Sequence, residues 1–98
     1  MTKIVYNTCF GGFGLSQKAK DRYWELKGES MPESWWEIDL DRADPVLVQV
    51  VEELGGEANG AYADLDIREI EPGTKYIIDE YDGLETVMTI DDFEWKIA

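Results

Sequence analysis

The residues with the most chemical potential lie in one stretch, CFGGFGLSQKAKDR, at positions 9–22. Gly11, Gly12 and Gly14 let a ligand approach the backbone closely. Ser16 follows as a helix N-cap, its hydroxyl placed to accept an amide of the first turn. Lys18, Lys20 and Arg22 then add positive charge near the positive end of the helix dipole. Free amides, a hydroxyl and cations at a helix start can hold a phosphate. Phe10 and Phe13 supply either core packing or a stacking face for a base. The established phosphate loops do not fit. G-x-x-x-x-G-K-[ST] is absent. Gly12-Phe13-Gly14 opens a G-x-G-x-x-G whose last position is Gln17, with no parallel βαβ unit behind it. A strand-to-helix turn that needs positive φ, followed by solvated cations, accounts for the same residues. Both readings stand at this level.

Other chemistry is narrower. The chain has no histidine, which removes a Cys-His pair and a Ser-His-Asp triad within it. Cys9 therefore reads as a small buried residue. Asp39, Asp41 and Asp44 space as D-x-D-x-x-D, but Ala43 and Asp44 stand where a calcium loop needs a ligand and a glycine. A zinc site would rest on one cysteine and carboxylates. No catalytic residue, metal or cofactor is expected. Trp35 and Trp36 lie in a polar connection near Arg42. Adjacent residues of an extended segment point opposite ways, so one tryptophan pins the loop while the other stacks a purine or anchors a partner. The candidate ligand-binding set is Phe10, Gly11, Gly12, Phe13, Gly14, Ser16, Lys18, Arg22, Trp36 and Arg42.

The elements that position these residues follow from pattern. Lys3 to Phe10 is strand-like and apolar on both parities, which marks a strand buried on both faces. Leu15, Ala19, Tyr23 and Leu26 recur at helical spacing, with Ser16 before them and Gly28 after, giving a helix over 17–27. Asp44-Pro45 starts a second helix, where Leu47, Val50, Val51 and Leu54 form a core stripe that Gly55-Gly56 ends. Asn59-Gly60 marks a turn. Three short strands follow, LDIREI, KYIIDEY and LETVMTI. Glu71–Thr74 reads as a type II turn and Tyr81–Leu84 as a tight Asp-Gly hairpin. The tail DDFEWKIA is a further strand or docks by Phe93 and Trp95. The expectation is one α+β domain over 1–98, a two-layer sandwich in the order β-α-α-β-β-β. Its last three strands form a meander that the first strand completes, with both helices on one face.

Charge bounds the partners. Nine basic residues against 22 acidic ones give a net charge of −13. The balance is lopsided, since residues 1–42 hold six basic and seven acidic residues and residues 43–98 hold three and 15. Such a surface repels phosphate backbones and disfavours nucleic acid. It suits a basic protein or imitates the charge of DNA, and it also serves solubility. No apolar run approaches a membrane span, the N-terminus makes a poor signal peptide, and one cysteine precludes an internal disulfide framework. A cytoplasmic protein is the default.

KIVYNTCFGGFGLS, DPVLVQVVEELG, EANG, ADLDIREIEPG and DEYDG together resemble a family of small tailed-bacteriophage and prophage proteins. Its members look like K-[IV]-V-[IV]-N-x-C-[FY]-G-G-F-[GS]-L-S at the N-terminus. The resemblance covers most of the chain and departs from it at Trp35-Trp36 and after Ile90. It implies a phage origin and action in the host cytoplasm, and it hands over no activity. Context points to a non-enzymatic anti-defence protein, a homo-oligomer that sequesters a nucleotide-like small molecule against the glycine loop. The alternative is an acidic protein–protein inhibitor of a host defence factor.

Overall fold

The computed structural model describes residues 1–33, 35, 37 and 40–89. The expectations for Trp36, Asp39 and the tail after Thr89 lie outside those residues. The elements are β1 (Thr2–Asn7), α1 (Gln17–Lys27), α2 (Pro45–Leu54), a 3-10 turn (Gly55–Ala58), β2 (Leu65–Ile70), β3 (Tyr76–Tyr81) and β4 (Leu84–Thr89). The class is α+β and the order is the expected one.

Local chemistry sets the helix ends where the sequence puts them. The Ser16 hydroxyl accepts the Ala19 amide, and Gly28 closes α1 in the left-handed region at φ 73°. At α2 the Asp44 carboxylate accepts the Val46 amide and Pro45 fills the first helical position. Leu47, Val48, Val50 and Val51 are buried against Val5, Leu15, Ala19 and Tyr23. Trp35 joins this core by stacking on Tyr23, with ring centroids 6.0 Å apart, and by meeting Trp24 edge-on at 5.3 Å. One member of the tryptophan pair thus pins the connection, as its aromatic area favours.

Asp44 also ties the helices together. It accepts the Tyr23 hydroxyl at 2.6 Å, and Lys27 approaches it at 3.7 Å. Burial pushes this carboxyl upward, but the bonds from Tyr23 and the Val46 amide, with help from Lys27 and Leu47, outweigh that and hold it below its ordinary value. A carboxylate depressed in the fold adds stability above its unfolded pKa, and the gain is lost as pH falls through the folded one. Asp44→Asn keeps the cap and removes the charge. It is expected to cost about 1 kcal/mol at pH 7, and the gap to the parent should begin to narrow as pH falls below about 4. Urea melts at pH 7 and pH 3 check this, and a gap independent of pH would remove the linkage.

The strands differ from the expected meander. They form two antiparallel pairs, β1 with β2 and β3 with β4. β1 pairs with β2 from Thr2 opposite Ile70 to Asn7 opposite Leu65. Val5, Leu65 and Ile67 face the helices. Ile4 and Tyr6 face the other way, where Ile4 and Ile70 pack with Val87, Tyr76 and Ile78 of the second hairpin. β1 is therefore buried on both faces, as its composition predicts. The second hairpin leans on the β1–β2 ribbon and does not extend it, because the other edge of β1 is already bonded. The Val5 amide donates to the Arg42 carbonyl, and the Asn7 amide donates to the Glu85 carboxylate at 2.9 Å. A connector carbonyl and an acidic side chain occupy the edge that β4 would need for a backbone ladder.

The turns are as read, with one shift. Gly73 has φ 83° and the Thr74 amide returns to the Glu71 carbonyl. Asp82 and Gly83 both have positive φ, the signature of a type I′ hairpin turn. The turn expected at Asn59-Gly60 closes between Gly60 and Ala63, because Asn59 bridges Leu15 and its side chain accepts the Leu65 amide.

Candidate functional site

The strand expected to reach Phe10 stops at Asn7, and the cause is the Asn7 side chain. Its amide nitrogen donates to the carbonyls of Cys9 at 2.6 Å and Gly83 at 2.8 Å. Its oxygen accepts from the amides of Cys9 at 3.2 Å and Asp64 at 2.9 Å. All four hydrogen-bonding positions of the side chain are filled, and the residue is 0% exposed. Asn7 thereby gathers three loops at one end of the molecule: the glycine loop, the segment before β2, and the β3–β4 turn.

The glycines complete that gathering. A Cβ at Gly11 would fall 2.0 Å from the Tyr62 carbonyl oxygen, and one at Gly83 would fall 2.2 Å from that of Phe10. A Cβ at Gly60 would meet the Gly14 carbonyl carbon at 2.9 Å. Gly12 has φ 94° with open space around its Cα. Close approach is what these glycines provide, and it is approach between segments of this chain.

The other predicted site residues divide clearly. Both hydrogen-bonding roles of the Ser16 hydroxyl are internal, since it caps Ala19 and donates to the Glu57 carbonyl at 2.6 Å. Lys18 meets Glu57 at 2.8 Å, and Arg22 meets Glu25 and Glu53 at 2.8 and 2.9 Å. These contacts pull the Glu57 and Glu53 carboxyls below their usual range, chiefly through the Lys18 and Arg22 hydrogen bonds. Lys3, Lys20, Lys27 and Arg42 also have carboxylates within 4 Å. All six cations of residues 1–42 are thus engaged, mostly by acids from the second half of the chain. The charge that looks segregated along the sequence is interleaved in space.

Phe13 and Arg42 do come together. The Arg42 guanidinium lies 3.5 Å from the Phe13 ring centroid and grips Glu85 through two contacts, at 2.5 and 2.9 Å. Beside them is a recess of about 390 Å³, lined also by Gly12, Ile78, Glu80 and Gly83. A second recess of about 220 Å³ lies between Gly11–Leu15 and Gly60–Ala63. Phe10 is 60% exposed, Tyr62 76% and Tyr81 75%, one from each gathered loop. Sequence reasoning did not single out Asn7, Glu80, Glu85 or Tyr62. An asparagine at the end of an apolar strand was the available signal for Asn7.

Acids outside the ion pairs are present at this end, as they are at Asp21, Glu29, Glu33, Asp41 and Glu71 elsewhere. Among the described residues no ion pair engages Asp64, Glu80 or Asp82, nor Asp66 and Asp79 on the adjoining strands. No group of three or more metal-ligating side chains forms among the described residues. No described helix is long and apolar enough to cross a membrane. Comparison with known proteins brings no match: no family model, no curated protein and no solved structure corresponds to this chain.

Proposed function

We propose that this chain is a non-enzymatic accessory protein that binds a basic protein partner through the acidic, aromatic end built by its three gathered loops. On the phage-family resemblance such a protein would act in the host cytoplasm, and by analogy with accessory phage proteins its target would be a host defence factor. One observation carries the reading. The cations of residues 1–42 are engaged by carboxylates of this chain, while Asp64, Glu80 and Asp82 form no ion pair among the described residues and share this end with three exposed aromatic side chains. Exposed aromatics in a patch are the usual anchors of a protein interface. Unpaired like charge beside them steers an oppositely charged partner and rejects phosphate backbones. Sequestration of a nucleotide-like molecule is the competing reading. Its phosphate would have to displace Glu57 from Lys18 and Glu53 from Arg22.

Affinity capture from bacterial lysate at about 50 mM salt, followed by reconstitution with the purified partner, tests the proposal. A basic protein should be retained, and its Kd should rise at least about tenfold between about 50 and about 300 mM salt. Retention of nothing, or a Kd indifferent to salt, would overturn the reading. Calorimetry against cyclic and ADP-ribose-type nucleotides is the opposing arm, and micromolar binding there would favour sequestration.

A further inference from the structure

The recess beside Phe13 has a specific chemistry. Its wall includes the Phe13 ring, the Ile78 side chain and the backbone of Gly12 and Gly83. Its charged groups are Arg42, Glu85 and Glu80. Arg42 and Glu85 neutralise each other, and the second role of Glu85 goes to the Asn7 amide. Glu80 differs. Its Oε1 accepts the Gly83 amide at 2.8 Å, which fixes the carboxylate against the hairpin turn, and its Oε2 has no partner among the described residues. The recess therefore carries one uncompensated negative charge, held in place, beside apolar and aromatic walls.

We infer that this recess is the anchor slot for an arginine side chain of the basic partner, with Glu80 as its counter-charge. The inference rests on the proposed function above. A guanidinium is planar, weakly hydrated and suited to lie along apolar and aromatic surface while its N–H groups meet a carboxylate. The same chain already packs a guanidinium in this way, with Arg42 between Phe13 and Glu85. The volume of about 390 Å³ accommodates a side chain of that size, and a phosphate would meet the Glu80 charge. The exposed Phe10 lies on the loop that lines the slot, its carbonyl against Gly83, where its ring would cover the backbone of the entering segment.

Titration of the isotopically labelled full-length protein with the peptide Ac-Gly-Ser-Arg-Ser-Gly-amide tests this by amide chemical shifts. The expected shifts concentrate at Gly12, Phe13, Glu80 and Gly83, and the lysine analogue binds more weakly. Glu80→Gln keeps the acceptor for the Gly83 amide and removes the charge, so the fold should be unchanged while affinity for the arginine peptide drops about fivefold. Shifts spread over all acidic residues, or an affinity unchanged in Glu80→Gln, would overturn the slot. If the basic partner still binds in a salt-dependent manner in that case, the broader acidic reading survives. If no basic partner binds at all, that reading has failed as well.

Discussion

Asn7→Ala is expected to destabilise the domain by about 4 kcal/mol. The reasoning is a count of hydrogen bonds. The side chain makes four, to Cys9 twice, Gly83 and Asp64. Each contributes about 1 kcal/mol net, and backbone groups left unpaired in a buried site cost more. For a domain of this size the loss corresponds to a drop in Tm of about 20 °C. Denaturant and thermal melts check it, and a loss below about 1 kcal/mol would show that water or local rearrangement replaces the amide. Asn7→Asp refines the test. It keeps the acceptors for Cys9 and Asp64 but turns a carboxylate toward two carbonyl oxygens. Repulsion raises its pKa in the fold, so the variant should recover stability relative to the parent as pH falls toward about 4. No such recovery is expected for Asn7→Ala.

Breaking the Arg42–Glu85 pair from one side is the second large effect. The side chains are only 10% and 7% exposed, so Arg42→Met leaves a desolvated carboxylate and should cost about 3–5 kcal/mol. Glu85→Gln retains an acceptor for the Asn7 amide but leaves the guanidinium without its counter-charge. The double variant should cost at least about 1 kcal/mol less than the sum of the two. Additivity within about 0.5 kcal/mol would mean that the two side chains do not act as a unit. A buried ion pair is weak evidence for net stability, since removal of two desolvated charges together is often tolerated. Its role here is geometric. It fixes the connector carrying Arg42, the edge of β1 and the start of β4 in one arrangement, and so shapes the recess beside Phe13.

Much of the fold was legible from local pattern. The bounds of α1 and α2, the Ser16 and Asp44 caps, the Gly28 stop, the Glu71–Thr74 turn and the Asp82-Gly83 hairpin all depend on residues within a few positions of each other. The double-sided burial of β1 was legible too, because apolar residues on both parities have one explanation in a small domain. The candidate site was legible only in part. Phe13 and Arg42 were named and do meet, 29 positions apart in the chain. The apparent basic cluster after Ser16 was a feature of the sequence alone, since its carboxylate partners come from as far away as Glu57.

By itself, then, the sequence determined the order of elements, the helix ends, the two hairpin-type turns and the acidic surplus, since helix caps, turn φ values and net charge are set by nearest neighbours or by composition. Tertiary structure decided three further things. It placed β4 against β1 without a backbone ladder, because Arg42 and Glu85 reach that edge first. It closed the glycine loop onto Tyr62 and Gly83, because a buried asparagine has four bonds to satisfy, neighbouring Cys9 meets two, and the distant backbone of Gly83 and Asp64 meets the others. It neutralised the cations of residues 1–42 and left Glu80 without an ion pair among the described residues, because an ion pair depends on distance in space, which the order of residues along a chain does not state.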